Sequence, residues 1–479
     1  MVCGACHLVL PLTDRGGDAW GDMGRDTGLD ATPLPGEWAL GLGGKGDDHG
    51  ADLAVDAQGN VFFVGSFQGK FDFRGVEFES QAASDIFVLS LDSYGELRWV
   101  KTFPSPNSAF ATAVGTDGQG NIFVAGHFYD ELDLGCGSKK TPDASNPSHN
   151  RFDSFLAKLS PQGDCIWMHS FSSDDEVTPH DRIYDLAVDG QGNVSVVGEL
   201  WGTVDFAGLP LTAYETYDAF VASFAGDGQP RWAHRHGGTS EDAATAVAVD
   251  EAGDVYSVGH DKQLLAPSTA TWTPFLHKCR NDGVFQKVVP IGNGTTQSSA
   301  AAVAVAGDKV FVAGTFLDTI AFGGNTIPAS GGSQDKDIFV AAYTAKDLGV
   351  LWAKGVGGST VVAPTNDPQP MALAADTARV CLTGVFEGEF RVDSMAKPAP
   401  GLGRDIFVLC LAPAAGGEPR SLVYGTDSQD VSSALLFADK GHAYLAGDFG
   451  NVIDLVPPAL PWRGGSDAFL ARLCLRDCP

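Results

Sequence analysis

Seven polar side chains stand at one fixed distance ahead of a repeated turn, and their types make them the first candidates for chemistry. Nine residues before the turn they are Asp47, Ser108, His180, Glu241, Gln297, Asp367 and Asp430. The next position adds Asp48, Asp181 and Asp242. Brought to one place, such carboxylates would sum their fields and offer hard oxygen ligands of the kind that hold Ca²⁺. His180 with Asp47 and Glu241 is the first group to test for acid–base work. The competing use is structural, since short acidic side chains also bond backbone N–H groups at turns. A second group is basic. Lys139, Lys140, His149 and Arg151 fall within residues 135–151 of an otherwise acidic chain. They suit an anionic partner or the acidic residues above, or they belong to a solvated loop.

Composition narrows the functional classes. Sixty acidic against 31 basic residues give a formal charge of −29, which argues against binding a phosphate backbone. The motifs G-x-S-x-G, H-E-x-x-H and a Walker loop do not occur, nor does a dinucleotide fingerprint in a βαβ context. Polar residues from distant parts of the chain remain able to converge on an enzyme site that spacing does not reveal.

The turn itself organises the chain. Asp56–Phe67, DAQGNVFFVGSF, reads as a strand end, a tight turn and a second strand. Its glycine recurs at Gly65, Gly126, Gly198, Gly259, Gly314, Gly384 and Gly447, at intervals of 61, 72, 61, 55, 70 and 63 residues. That period marks a repeat architecture. A second hairpin follows in each unit, with an Asp-led strand such as DIFVLSLD (85–92) and a Trp strand such as LRWVKTF (97–103). Each unit therefore has four strands, A to D. A–B and C–D turns leave one end, the bottom; the B–C and D–A loops leave the other, the top, and vary most in length. The fourth unit has Thr273-Pro274 in place of the strand C Asp and Phe285 at the Trp slot, and the sixth lacks the Trp. The Asp56 and Asp189 turns lack the ladder of an EF-hand and read as plain β-turns. Aromatic residues of the short B–C hairpins, such as Phe71 and Phe73, are expected to pack on their own sheet.

The last unit ends after strand C, and one spare D-like strand stands near Trp38. This offset predicts an all-β fold over 36–479: a seven-bladed β-propeller of four-stranded blades, closed by the N-terminal strand completing the last blade. The elements D-x-x-G-N-V-x-V-x-G, D-x-F-V-x-x-L and W-x-x-x-x-G-G resemble the seven-bladed β-propeller repeat of bacterial exported and cell-surface proteins, over nearly all of 36–479. The resemblance implies an extracellular or lipoprotein setting and leaves the activity open.

Residues 1–35 read as a flexible Gly/Asp-rich leader or tether. Cys3-Gly4-Ala5-Cys6-His7 matches the c-type haem attachment pattern, although no haem-enclosing sequence follows. Cys3 or Cys6 would otherwise be the lipidated residue of an exported lipoprotein. No signal peptide is visible in the sequence as it stands. Among nine cysteines, Cys381 and Cys410 on adjacent strands are the best disulfide pair. Cys474 and Cys478 come next, or a link to Cys3 or Cys6. Cys136 in a top loop and Cys165 beyond a bottom turn should lie a strand length apart, about 17–20 Å, too far to bridge.

The leading expectation is a monomeric, non-catalytic, exported or cell-surface propeller. It would bind a protein or glycan through its top face, with no cofactor other than Ca²⁺ and no nucleic acid. An enzyme acting on polysaccharide at the channel mouth and an intracellular scaffold are the alternatives.

Overall fold

The structure is a computed structural model. It describes residues 36–475 except 82, 142–151, 174–180, 267–268, 295–296, 330–335, 361–371, 401–402, 418 and 440. All regular structure among these residues is β-strand. In unit 1, strands His49–Val55, Val61–Phe67, Asp85–Leu91 and Leu97–Phe103 pair in that order, each antiparallel to the next. The A–B–C–D order recurs over 109–171, 182–236, 242–290, 299–360 and 372–424. In unit 7, strands Val431–Phe437, His442–Phe449 and Asp467–Cys474 supply A, B and C. Trp38–Gly44 pairs antiparallel with the last of them, Trp38 opposite Arg472 and Leu42 opposite Ala468.

Strand A of each unit contacts strand A of the next, from unit 1 through unit 7, and that of unit 7 contacts that of unit 1. Buried apolar residues form clusters that straddle consecutive units. Phe62 and Val64 of unit 1 meet Val114 and Val124 of unit 2, and Phe63 meets Tyr444 and Ala446 of unit 7. This is a β-propeller arrangement, with sheets packed face to face around an axis lined by the A strands. It explains the continuous apolar runs of strands B and C. Val61–Phe67 and Asp85–Leu91 are buried at every position, because both faces of the sheet are covered.

The repeated glycine has a steric cause. Strand A of unit 1 has a register shift between Gly50 and Asp52, and six units share it. The bulge pushes a strand A carbonyl toward strand B. A Cβ at Gly65 would stand 2.0 Å from the His49 carbonyl oxygen, and at Gly198 1.7 Å from that of Arg182. Only glycine fits there.

Bottom turns match the sequence reading. Asp56 Oδ1 accepts the Gln58 and Asn60 N–H groups at 2.9 Å, and Oδ2 accepts the Asn60 side-chain amide at 2.7 Å. Phe71 and Phe73 are buried, Phe71 against Phe67 and Phe87 of unit 1, but their strand Lys70–Phe73 pairs with Trp38–Gly44 and so extends the sheet of unit 7. The expected Trp slot of unit 4 needs correction. A register shift between Lys278 and Cys279 places Lys287, not Phe285, opposite Lys278, the position Trp232 holds opposite Ser223 in unit 3. Phe285 is left 49% exposed.

A second correction concerns the cysteines. Cys381–Cys410 is a disulfide as expected, but so is Cys136–Cys165, with Cα atoms 5.5 Å apart. The strand-length argument held the B–C loop of unit 2 at the top. Instead the loop runs down the blade until Gly135 lies beside Cys165, where a Cβ would be 3.7 Å from the Cys165 Cβ. Cys474 is disulfide-bonded; its expected partners Cys478, Cys3 and Cys6 lie outside the described residues, as do the leader, the haem-like motif and any lipid attachment.

Candidate ligand-binding face

The carboxylates ahead of strand A are mostly turned to structural use. Asp48 accepts the Gly44 N–H at 2.7 Å and the Gln68 N–H at 3.2 Å. Asp242 repeats this with Gly238 at 2.7 Å and Lys262 at 2.9 Å. Asp181 accepts the Trp201 N–H at 3.0 Å, and Asp430 accepts the Thr426 hydroxyl at 2.9 Å and the Gly450 N–H at 3.3 Å. In all four the amide acceptor lies 20 residues before its donor. Asp430 therefore belongs with Asp48, Asp181 and Asp242 rather than with Asp47. Each clamp ties the D–A loop to the end of strand B, and all four carboxylates are buried.

A second carboxylate, from strand C of the preceding unit, sits beside two of the clamps, Asp467 beside Asp48 and Asp218 beside Asp242. Asp467 and Asp218 are fully buried. A Cβ at Gly237 would lie 2.3 Å from Asp218 Oδ1 and 2.6 Å from Asp242 Oδ2, so the two oxygens are within about 5 Å of each other. A Cβ at Gly43 would lie 2.2 Å from Asp467 Oδ1. The Gly-Gly of the Trp strand thus leaves room for one carboxylate and donates an N–H to the other. Burial pushes Asp48 up to about 7 and Asp242 and Asp467 up to about 6, and it raises Asp218 and Asp430.

Asp47 and Glu241 are exposed. Asp47 accepts the Ser466 N–H at 3.2 Å, at the seam of units 7 and 1, whereas Glu241 pairs with Lys262 Nζ at 2.5 Å, at the seam of units 3 and 4. Lys140 Nζ pairs with Glu131 at 2.9 Å, and Lys139 lies in the same two-residue strand. His180, Asp367, His149 and Arg151 lie outside the described residues. Among the described residues no group of three or more His, Cys, Asp or Glu side chains is placed to hold a metal ion.

The axis of the molecule is a cavity of ≈ 870 Å³ lined by the A strands and the bottom turns. None of Asp47, Asp48, Asp181, Glu241, Asp242 or Asp430 lines it. Its polar wall is formed by residues that the sequence reading missed. Asp52 and Asp185 stand at the strand A bulges; Asp52 accepts the N–H groups of Leu53 at 2.8 Å and Val114 at 2.7 Å. Asp185 accepts those of Leu186 and Val247 at 2.8 Å. Each thereby joins its own A strand to the next one. Burial pushes Asp52 up to about 8, with Asp185 adding repulsion, and Asp185 up to about 7. The signal was present as the pentapeptide DLAVD at both 52–56 and 185–189, an acidic residue inside an otherwise apolar strand. At the top of the cavity His49 Nδ1 pairs with Asp448 at 2.9 Å, which raises the histidine.

The top face of units 2 to 4 is rich in aromatic side chains. Tyr217 and Trp201 meet edge to face at 5.0 Å, and Tyr129 meets Phe152 the same way at 5.3 Å. The Arg182 guanidinium lies 4.7 Å over Phe152 and 3.8 Å from Glu199. Lys262 Nζ lies 5.7 Å over Trp272. Except for Phe152, these rings are only half-buried.

No family model matches the chain. It is 29% identical over 153 residues to "Regulatory protein FlaEY" of Caulobacter vibrioides, a match that covers 30% of this chain and 16% of that protein. It is 24% identical over 154 residues to the "Uncharacterized WD repeat-containing protein L264" of Acanthamoeba polyphaga mimivirus, covering 27% of this chain and 11% of that one. The matches therefore span less than a fifth of either relative. Among solved structures it is similar to the β-propeller domain of the Trilobed protease from Pyrococcus furiosus, at 7% identity and TM-score 0.40 over 90% of this chain and 96% of that one. It is also similar to the Dos1 propeller, at 7% identity and TM-score 0.42 over 91% and 96%. A third is the quinohemoprotein alcohol dehydrogenase from Comamonas testosteroni, at 9% identity and TM-score 0.43 over 91% and 76%. At these TM-scores the likenesses carry no argument about function.

Proposed function

We propose that the chain is a closed seven-bladed propeller, exported or held at a cell surface, that binds a partner or glycan through its top face and is not an enzyme. The observation that carries this reading is the fate of the acidic positions. Asp48, Asp181, Asp242 and Asp430 each accept a backbone N–H, which is the work of a scaffold. A catalytic centre would leave carboxylates open to substrate. Among the described candidate positions, Asp47 and Glu241 stay exposed at the top, and Lys139 and Lys140 lie in the B–C loop of unit 2. Closure is supported by the pairing of Trp38–Gly44 with Asp467–Cys474. Export is supported by the disulfides Cys136–Cys165 and Cys381–Cys410, because such bonds persist in oxidising compartments.

The test has two parts. Alkylation of the protein as isolated from its native cell, unfolded without reductant, should leave Cys136, Cys165, Cys381 and Cys410 unmodified and label Cys279. Labelling of all five overturns the export reading. A panel of polysaccharide substrates should show no turnover. Turnover abolished by Asp52→Asn overturns the scaffold reading in favour of an enzyme centred in the channel.

A further inference from the structure

One position separates three consecutive blades from the other four. The residue just before the strand C aspartate slot is Phe152, Tyr217 and Trp272 in units 2, 3 and 4. In units 1, 5, 6 and 7 it is Ser84, Lys336, Arg404 and Ser466. Strand C begins at the top, so the three aromatic residues stand at the same height on neighbouring blades. Each is joined by a group from the end of strand B of its own blade: Tyr129, Trp201 and Lys262 respectively. Phe152 is buried, and Tyr129 and Arg182 form the surface over it. The sector therefore alternates ring faces with charged groups.

We propose that this sector of the top face binds a neutral glycan, with sugar rings laid against the aromatic side chains of units 2 to 4. The proposal rests on the top-face reading above and names its ligand. A pyranose offers a C–H face and an edge of hydroxyl pairs. Half-buried Tyr and Trp rings supply apolar contact while keeping a polar edge for hydrogen bonds. The Arg182 guanidinium, 31% exposed and held beside Glu199, presents N–H donors in a fixed plane to sugar hydroxyls. Charge selects within the class. A chain of formal charge −29 repels uronates, sulfated glycans and nucleic acid, and a neutral sugar escapes that penalty. An apolar peptide groove would need contiguous apolar surface, whereas here every ring pair is flanked by a charged residue.

The experiment is calorimetric titration of the full chain with cellohexaose, xylohexaose, mannohexaose and a polygalacturonate hexamer. Binding of at least one neutral hexasaccharide, and not of the uronate, is expected. Trp201→Ala should weaken it about tenfold, the loss of about 1.4 kcal/mol, and Trp201→Phe, which keeps a ring, should restore part of it. Trp462→Ala is the control. That indole is 44% exposed on the top of unit 7 and its removal should leave affinity unchanged. Circular dichroism confirms that each variant is folded. Neutral glycan binding that Trp462→Ala weakens and Trp201→Ala does not overturns the sector while keeping the top-face reading. No binding of any neutral hexasaccharide at millimolar concentration overturns the glycan assignment. In that case the alkylation and turnover tests still decide the broader reading separately.

Discussion

Trp232→Ala tests how neighbouring blades are held together. The indole sits in strand D of unit 3 at 8% exposure, and its Nε1 donates to the Asn281 carbonyl at 3.0 Å on the C–D turn of unit 4. Its ring covers Gly283, where φ is +82° and a Cβ would lie 2.5 Å from the Trp232 Cγ. The same latch joins Trp99 to Pro161 and Trp352 to Pro413 at 3.0 Å, and Trp167 to Gly226 at 3.2 Å. Removing a buried Trp side chain costs about 3–5 kcal/mol. Little of that should come from the hydrogen bond, because Arg231 also donates to the Asn281 carbonyl at 2.8 Å and keeps it satisfied. Trp232→Phe should then lose only about 1–2 kcal/mol, the packing of the smaller ring. Lys287, which reaches the Asp347 carbonyl at 2.7 Å from the equivalent slot, is exposed, and Lys287→Ala should cost under about 1 kcal/mol. Equilibrium urea unfolding followed by circular dichroism measures all three. A loss below about 1 kcal/mol for Trp232→Ala, or an equal loss for Lys287→Ala, would refute the latch.

Other expectations follow from the same contacts. Replacing Cys136 and Cys165 by Ser, or Cys381 and Cys410, should each cost about 3–4 kcal/mol, from the loop closed across a separation of 29 residues; unchanged urea midpoints would count against both bridges. Gly237→Ala should destabilise strongly, because φ is +144° and the new methyl would meet Asp218 and Asp242; a folded variant of parent stability would contradict the paired-carboxylate geometry. Asp48, Asp52, Asp185, Asp242 and Asp467 all have folded values raised to between about 6 and about 8. Groups raised on folding contribute stability that is complete below their unfolded value, about 4, and lost as pH rises through the folded value. Thermal stability should therefore increase on acidification from about pH 8 to about pH 5. Asp52→Asn should flatten the upper part of that rise, and an unchanged profile in the variant would show that Asp52 does not titrate there.

Much of this architecture was legible because its signals are local. The glycine of strand B, the Asp–Asn turn and the Trp strand each encode one turn or one close approach, so repetition makes them visible. The failures have two kinds of cause, a spacing counted from the wrong residue and a loop path that no short motif carries. Counting from Asp439 puts Asp430 one residue out of register, because the residue equivalent to Asp56 in unit 7 is Ala438. Counted from the strand B glycine instead, Asp430 stands 17 residues before Gly447 as Asp48 stands 17 before Gly65. The Trp slot of unit 4 is Lys287, which follows the turn glycine Gly283 at the same spacing as Trp232 follows Gly228; Phe285 suggests itself by its aromatic ring rather than by that spacing. Cys136 reached Cys165 because a long loop folded down its own blade, a path set by tertiary packing. The candidate site was less legible than the fold. Carboxylates that clamp a backbone and carboxylates that hold a ligand have the same sequence, and only the partner atoms distinguish them. The aromatic sector needed the strand C register to align Phe152, Tyr217 and Trp272.

The central claim is that the buried top-face carboxylates are structural and that binding occurs elsewhere on that face. A thermal-shift series on the full chain with Ca²⁺ and with neutral hexasaccharides, repeated on Asp242→Asn, tests it most directly. A neutral sugar at ten times its dissociation constant should stabilise by about 1.4 kcal/mol, in the variant as in the parent, while Ca²⁺ leaves both unmoved. Stabilisation by Ca²⁺ that Asp242→Asn abolishes would make the clamps a cation site and contradict the account.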